Sequence, residues 1–147
     1  MKVMKLAVLG AIIGFAAPAF AETLSFSPGE WTATVSGTVN GQAMSNEKIQ
    51  DCMSPGENTI TASDLEDIMG DTFECQYSNV QRTSSTITAD VVCQLTGESM
   101  VYNGTSVINY TQTDFSLDIT GALIGEGGMS IPAGLTASAE RISPVCQ

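Results

Sequence analysis

The chain has 147 residues, sixteen acidic and five basic side chains, a formal net charge of −11, four cysteines and no histidine. That charge excludes direct nucleic-acid binding, which needs a basic footprint. The missing histidine removes the usual base for a serine or cysteine nucleophile.

Residues 1–21 read as a signal peptide. Lys2 and Lys5 form a basic start, residues 6–17 an apolar run, and Ala19-Phe20-Ala21 puts small residues where a signal peptidase cuts, so cleavage is expected before Glu22. The apolar run is too short and too rich in Gly and Ala for a retained anchor. No cysteine stands at the cut to carry a lipid. Removing residues 1–21 from 147 leaves 126, enough for one domain with a real core. It also leaves only Lys48, Arg82 and Arg141 against sixteen carboxylates, a net charge of −13. Such a surface favours a soluble monomer.

The domain, residues 22–147, opens on a Ser27-Pro28-Gly29 turn. Trp31, Ala33, Val35, Gly37 and Val39 then alternate with Thr32, Thr34, Ser36 and Thr38, the period of a half-buried strand. Asn40-Gly41 is a hairpin signal, because both turn residues tolerate positive φ. The second strand, residues 42–52, alternates poorly (Glu47, Lys48 and Asp51 interrupt it) and suits an edge. Ser54-Pro55-Gly56 breaks it. A short helix is predicted over 63–70, with Ser63 as N-cap, Glu66 as capping-box partner, Leu65, Ile68 and Met69 as apolar stripe, and Gly70 as stop.

Residues 73–96 form the clearest hairpin. Ile87, Ala89, Val91, Cys93 and Leu95 share one face; Thr88, Asp90, Gln94 and Thr96 share the other. With Thr83-Ser84-Ser85 as the loop, Phe73 faces Leu95, Cys75 faces Cys93 and Tyr77 faces Val91, and Arg82–Thr86 closes the hairpin. A slip of one residue would scatter the apolar set over both faces. Gly97 is expected to mark a bulge before a strand continuing over 99–102. Asn103-Gly104 reads as a second hairpin turn, followed by strands over 105–111 and, after Gln112-Thr113, over Phe115, Leu117 and Ile119. Residues 121–134, with five glycines and Pro132, read as an apolar loop lying over an open edge or end of the sheet. Residues 137–147 read as a tail.

Four cysteines in an exported chain imply two disulfides among Cys52, Cys75, Cys93 and Cys146. The register permits Cys75–Cys93 with Cys52–Cys146. Against it stands Cys52–Cys75 with Cys93–Cys146, which would staple the base of the helical insertion and anchor the tail. The second pairing is preferred here, because direct cross-strand bridges demand unusual geometry.

The order Pro28-Gly29-x-Trp31, Cys52-x-Ser54-Pro55, Cys75, Cys93, then Arg141-Ile142-x-x-x-Cys146 resembles a family of small exported bacterial proteins catalogued as domain of unknown function 3617. The resemblance spans residues 27–146. Pro144 and Val145 stand where the family usually has a glycine. The resemblance implies an envelope or periplasmic address, and it implies no activity or catalytic residue.

The acidic cluster Asp64, Glu66, Asp67, Asp71 and Glu74 could supply a carboxylate pair or a loose calcium site. A solvated helix face is the simpler reading, and Asp90, Glu98 and Asp118 fall on the wet face of the strands. Met44, Met53, Met69, Met100 and Met129 stand singly, as packing residues rather than copper ligands. No cofactor or metal is therefore expected. The fold expected is mainly β: an antiparallel meander of six to eight strands, curled or barrel-like, with one short helix and two disulfides. The function expected is a non-catalytic module of the envelope, periplasmic or secreted, binding a small apolar ligand or a protein partner. The alternative is a carboxylate-dependent hydrolase acting on a glycan or cell-wall substrate. Two inward carboxylates in a pocket would favour the enzyme, and a filled apolar interior the module.

Overall fold

The computed structural model describes residues 24–44, 46–60, 73–95 and 97–146. The signal peptide and the helix expected over 63–70 lie outside these residues. The strands are β1 (Leu24–Ser25), β2 (Gly29–Val39), β3 (Gln42–Ala43), β4 (Glu47–Met53), β5 (Thr59–Ile60), β6 (Phe73–Arg82), β7 (Thr86–Leu95), β8 (Val101–Tyr110), β9 (Asp114–Ile124) and β10 (Ser130–Ser143). The helical element among the described residues is a 3-10 turn at Glu126–Gly128.

Eight strands form one antiparallel sheet in the order β3-β2-β10-β9-β8-β7-β6, with β4 beside β2 on the same side as β3. β1 and β5 form a separate two-stranded ribbon. Five consecutive strands, β6 to β10, make the expected meander. No ladder joins β6 to β3 or β4, so the sheet is open and not a closed barrel.

The hairpin register holds where it matters: Phe73 pairs with Leu95, Cys75 with Cys93 and Tyr77 with Val91. The turn itself differs. Thr83 N–H donates to the Thr86 carbonyl (2.9 Å), Arg82 pairs with Ile87, and Ser84-Ser85 form the tip. A bulge between Ser78 and Gln81, with Asn79 at φ 51°, takes up the extra residue and restores the register. The Asn79 amide donates to Asp90 Oδ2 (2.6 Å), which holds the bulge in place.

Asn40 (φ 52°) and Gly41 (φ 77°) make the expected turn after β2. Asn103-Gly104 makes no turn: it lies inside β8, paired with Ala122 and Gly121. A Cβ on Gly104 would run into the Thr120 carbonyl and the Gly121 backbone, and one on Gly121 into Asn103 and Gly104. The two glycines therefore mark a close crossing of β8 and β9, where side chains have no room. Tyr102 reaches across this crossing, and its hydroxyl donates to the Ala133 carbonyl (3.3 Å) on β10. The glycine-rich stretch over 121–134 is likewise no loop but the β9–β10 hairpin, and the expected tail is the rest of β10, a central strand. Pro132 fits because the β2 ladder starts at Ala133, so its missing N–H costs no bond to β2.

One face of the sheet is apolar throughout. Ile87, Ala89, Val91 and Cys93 of β7 are buried, as are Ile108, Phe115, Leu117, Ile119, Ala137, Ala139, Trp31 and Ala33 on neighbouring strands. Leu24 and Phe26 join them from the N-terminal arm. Phe26 packs edge-on against Trp31 and Phe115, with ring centroids at 5.7 and 6.4 Å. The arm is sewn down by Phe26 N–H to the Asn58 carbonyl (2.8 Å) and Ser27 N–H to the Gln112 carbonyl (2.7 Å). Each fully buried Val, Leu, Ile or Phe side chain contributes about 1.5–3 kcal/mol.

Both disulfides form, but in the pairing that was not preferred: Cys52–Cys146 and Cys75–Cys93. The reason is topological. β4 and β6 stand at opposite edges of the sheet, so Cys52 and Cys75 cannot meet. Cys75 directly faces Cys93 with Cα atoms 4.0 Å apart, near the spacing of the closer kind of antiparallel pair. Glu30 on β2 has Cys52 as its partner on one side and Ser143 on the other, which brings Cys146 to Cys52.

Candidate functional site

Of the residues that carry the family resemblance, Pro28, Gly29, Trp31, Cys52, Arg141 and Cys146 converge on one corner of the sheet. Arg141 Nε donates to the Pro28 carbonyl (2.7 Å) and Trp31 Nε1 to the Ser27 carbonyl (3.0 Å). Gly29 lies between them at φ 141°, where a Cβ would strike the Ser143 carbonyl and the Arg141 side chain. Trp31 has Asp51 and Arg141 as cross-strand partners, and Cys52–Cys146 closes the corner from outside. The Cys52 amide donates to Asp51 Oδ1 (2.7 Å). The Arg141 Nε, the Trp31 indole and the Asp51 Oδ1 are each hydrogen-bonded to a backbone group of the chain. The corner is a clasp that joins the N-terminal arm, β4 and the end of β10.

The cysteines predicted as site residues thus divide: Cys52 and Cys146 build the clasp, while Cys75 and Cys93 cross-link the hairpin. Asp64, Glu66, Asp67 and Asp71 lie outside the described residues. Glu74, on β6, is exposed, as are Asp118 on β9 and Glu98 in the turn after β7, while Asp90 on β7 is half-buried. Among the described residues no three His, Cys, Asp or Glu side chains come together as a metal site. Met53 packs against the core, and Met44 and Met129 are more than half exposed on separate turns.

The apolar face offers little room. Val91, Ile108 and Leu117 are 0 % exposed, and the one polar residue buried with them is Ser106, whose hydroxyl donates to the Ala89 carbonyl (3.4 Å). No carboxylate belongs to this buried set. Burial pushes the phenols of Tyr77 and Tyr102 above their ordinary range.

The opposite face carries an open groove of about 460 Å³ at the clasp end of the sheet. Alternation puts its lining there. Thr34, Ser138, Ser116 and Asn109 form one cross-strand row over β2, β10, β9 and β8. Thr32, Glu140 and Asp114 form the next row. Ser85, at the hairpin tip, closes one end and accepts the Tyr110 N–H through its carbonyl (2.9 Å). No lysine or arginine lines the groove. Asp114 Oδ2 accepts from the hydroxyls of Thr111 (3.0 Å) and Thr113 (2.7 Å), which fixes that carboxylate at the rim. Glu140 stands directly opposite Asp114, a like-charge pair that is unfavourable by itself. The Thr32 hydroxyl oxygen is buried and has no hydrogen-bond partner, an unusual condition for a polar atom.

The threonine alternation of β2 already pointed Thr32 and Thr34 outward. The rest of the groove escaped the sequence because Ser138, Ala139 and Glu140 stand on the part of β10 that read as a tail, and because the strand order that sets β10 between β2 and β9 was hidden.

A family model for DUF3617, a protein of unknown function, matches residues 26–146. No curated protein and no solved structure gives a significant match. Among the described residues no helix is long and apolar enough to cross a membrane. With both disulfides formed, the molecule is compatible with export.

Proposed function

We infer a function from one premise: the chain belongs to the DUF3617 family, whose model covers nearly the whole mature domain. The reading is a non-catalytic module of the bacterial envelope, exported to the periplasm or beyond, that acts by binding a small molecule or an envelope protein. The observation that carries it is the composition of the buried face, which is filled with aliphatic and aromatic side chains and, among the described residues, holds no carboxylate. A hydrolase needs an acid held in a desolvated site so that it keeps its proton near neutral pH. Among the described residues the apolar face has no such acid, and the complete burial of Val91, Ile108 and Leu117 leaves little room there for an apolar ligand. That directs the binding role to the outer face.

One observation favours the hydrolase: Asp114 and Glu140 face each other across β9 and β10. Both are exposed, so neither has the desolvated setting of a catalytic acid. Two measurements on protein recovered from the periplasm test the reading. Its intact mass should correspond to a chain starting at Glu22 with all four cysteines oxidised. Neither it nor the Asp114→Asn/Glu140→Gln variant should release product from purified cell-wall glycan. Release by the parent and not by the variant would establish the hydrolase.

A further inference from the structure

We propose that the outer-face groove binds a neutral, polyhydroxylated ligand, a saccharide, through the hydroxyls of Thr34 and Ser138 and the carboxylates of Asp114 and Glu140. The inference rests on the binding-module reading and names the class of its ligand.

Four observations lead to it. The groove is the open cavity on a face whose apolar reverse is filled. Seven of its twelve lining residues carry a hydroxyl, which can donate and accept, with the Asn109 amide adding one of each kind. Sugar hydroxyls have the same double capacity, so a saccharide can satisfy many lining groups at once. The hydroxyls of Thr34 and Ser138 line the groove and make no hydrogen bond among the described residues, so a ligand hydroxyl can partner them. The carboxylates of Asp114 and Glu140 accept only, and Glu140 makes no hydrogen bond or ion pair among the described residues. Sugar hydroxyls are donors in reach of such acceptors, and their bonds to a carboxylate are charge-assisted.

Charge selects among saccharides. The groove has no cation, and the mature chain carries a net charge of −13, from three cations against sixteen carboxylates. Phosphorylated and uronic-acid glycans would therefore be repelled. Seven hydroxyl-bearing residues line the groove beside two acids, so a cation alone would leave most of the polar lining without a partner.

The test uses the mature, oxidised chain with four probes: maltohexaose, chitohexaose, a chitosan hexamer and hexagalacturonate. Affinity is read by titration calorimetry, and the location by amide chemical shifts in the NMR spectrum. Maltohexaose or chitohexaose should bind and shift Thr32, Thr34, Ser116 and Ser138, while hexagalacturonate should not bind. Ser138→Phe, which fills the groove from an exposed position, should weaken binding at least tenfold. Thr34→Val, the same shape without the hydroxyl, should weaken it severalfold. Both variants should keep the parent's melting temperature.

Binding by the chitosan hexamer with none by the neutral sugars would overturn the proposal, since it would make the groove a cation site. Neutral sugars that shift residues elsewhere, or that bind Ser138→Phe as tightly as the parent, would also overturn it. Cleavage of a bound neutral sugar would uphold the ligand class and instead overturn the non-catalytic reading. A ligand retained from the periplasm and indifferent to Ser138→Phe would overturn the ligand class while leaving a binding module in place.

Discussion

The two faces of one sheet carry opposite chemistries, and β2 shows it in a single strand. Trp31 and Ala33 point into the core and are 3 % and 5 % exposed, while Thr32 and Thr34 point into the groove. The apolar face consists of closed contacts: aromatic edges, aliphatic packing, a cross-strand disulfide and a tyrosine laid over two glycines. The outer face has rows of hydroxyls and two facing carboxylates. Apolar burial stabilises the fold only if it is complete, so the inner face has little latitude for a ligand. Polar groups exposed in register can change partners at small cost to stability, and function can occupy them.

The strongest way to break this contrast is to charge the inner face. Val91→Asp places a carboxylate at a site that is 0 % exposed and has no cation beside it. It should leave the domain unfolded at 25 °C, because such a group costs far more than a typical substitution. Circular dichroism and the loss of dispersed amide signals would show this.

The disulfides come next, and their unequal loops sharpen the comparison. Cys52–Cys146 spans 94 positions and Cys75–Cys93 spans 18. In the chain-entropy picture the first contributes about 4.5 kcal/mol and the second about 3 kcal/mol. Denaturant unfolding of Cys52→Ser/Cys146→Ser should therefore show the larger loss. A larger loss from Cys75→Ser/Cys93→Ser would mean that the hairpin, and not the clasp, holds the domain together.

Alkaline pH gives a smaller effect. The buried Tyr77 phenol ionises in the folded chain only well above the ordinary value of 10.0, whereas in the unfolded chain it ionises near that value. Its neutral form therefore stabilises the fold fully below pH 10, and that contribution is lost as pH rises from there toward the folded pKa. Tyr77→Phe should flatten the decline in melting temperature above pH 10. The smallest effect belongs to the outer face: Thr88→Asp, one position along β7 from the buried Ile87 and Ala89, should change stability by no more than about 0.5 kcal/mol.

How much of this was legible in the sequence depended on side-chain period. β2 and the β6–β7 hairpin alternate cleanly over many residues, so their faces, and the position of Cys75 opposite Cys93, could be read directly, though not the disulfide between them. β10 could not. Its first half is Ser-Ile-Pro-Ala-Gly, with a proline and a glycine where a strand usually has neither, and both are tolerated for local reasons. Pro132 precedes the β2 ladder, and at Gly134 an added Cβ would meet the Ile119 carbonyl at 3.1 Å. Missing β10 concealed the strand order, and the strand order decides which cysteines can meet. Asn103-Gly104 misled for a related reason: a dipeptide that usually allows a turn here allows two strands to approach closely. Of the groove, the threonines of β2 were visible, while Ser138 and Glu140 of β10, and the strand order that sets them beside β2 and β9, were hidden.

The account stands on the apolar face being a closed core and not a ligand pocket. Methyl NMR during titration with decanoate tests this most directly. The account predicts that the methyl signals of Val91, Ile108 and Leu117 stay where they are up to millimolar decanoate. A saturable shift of those three methyls would place an apolar ligand inside the sheet and contradict it.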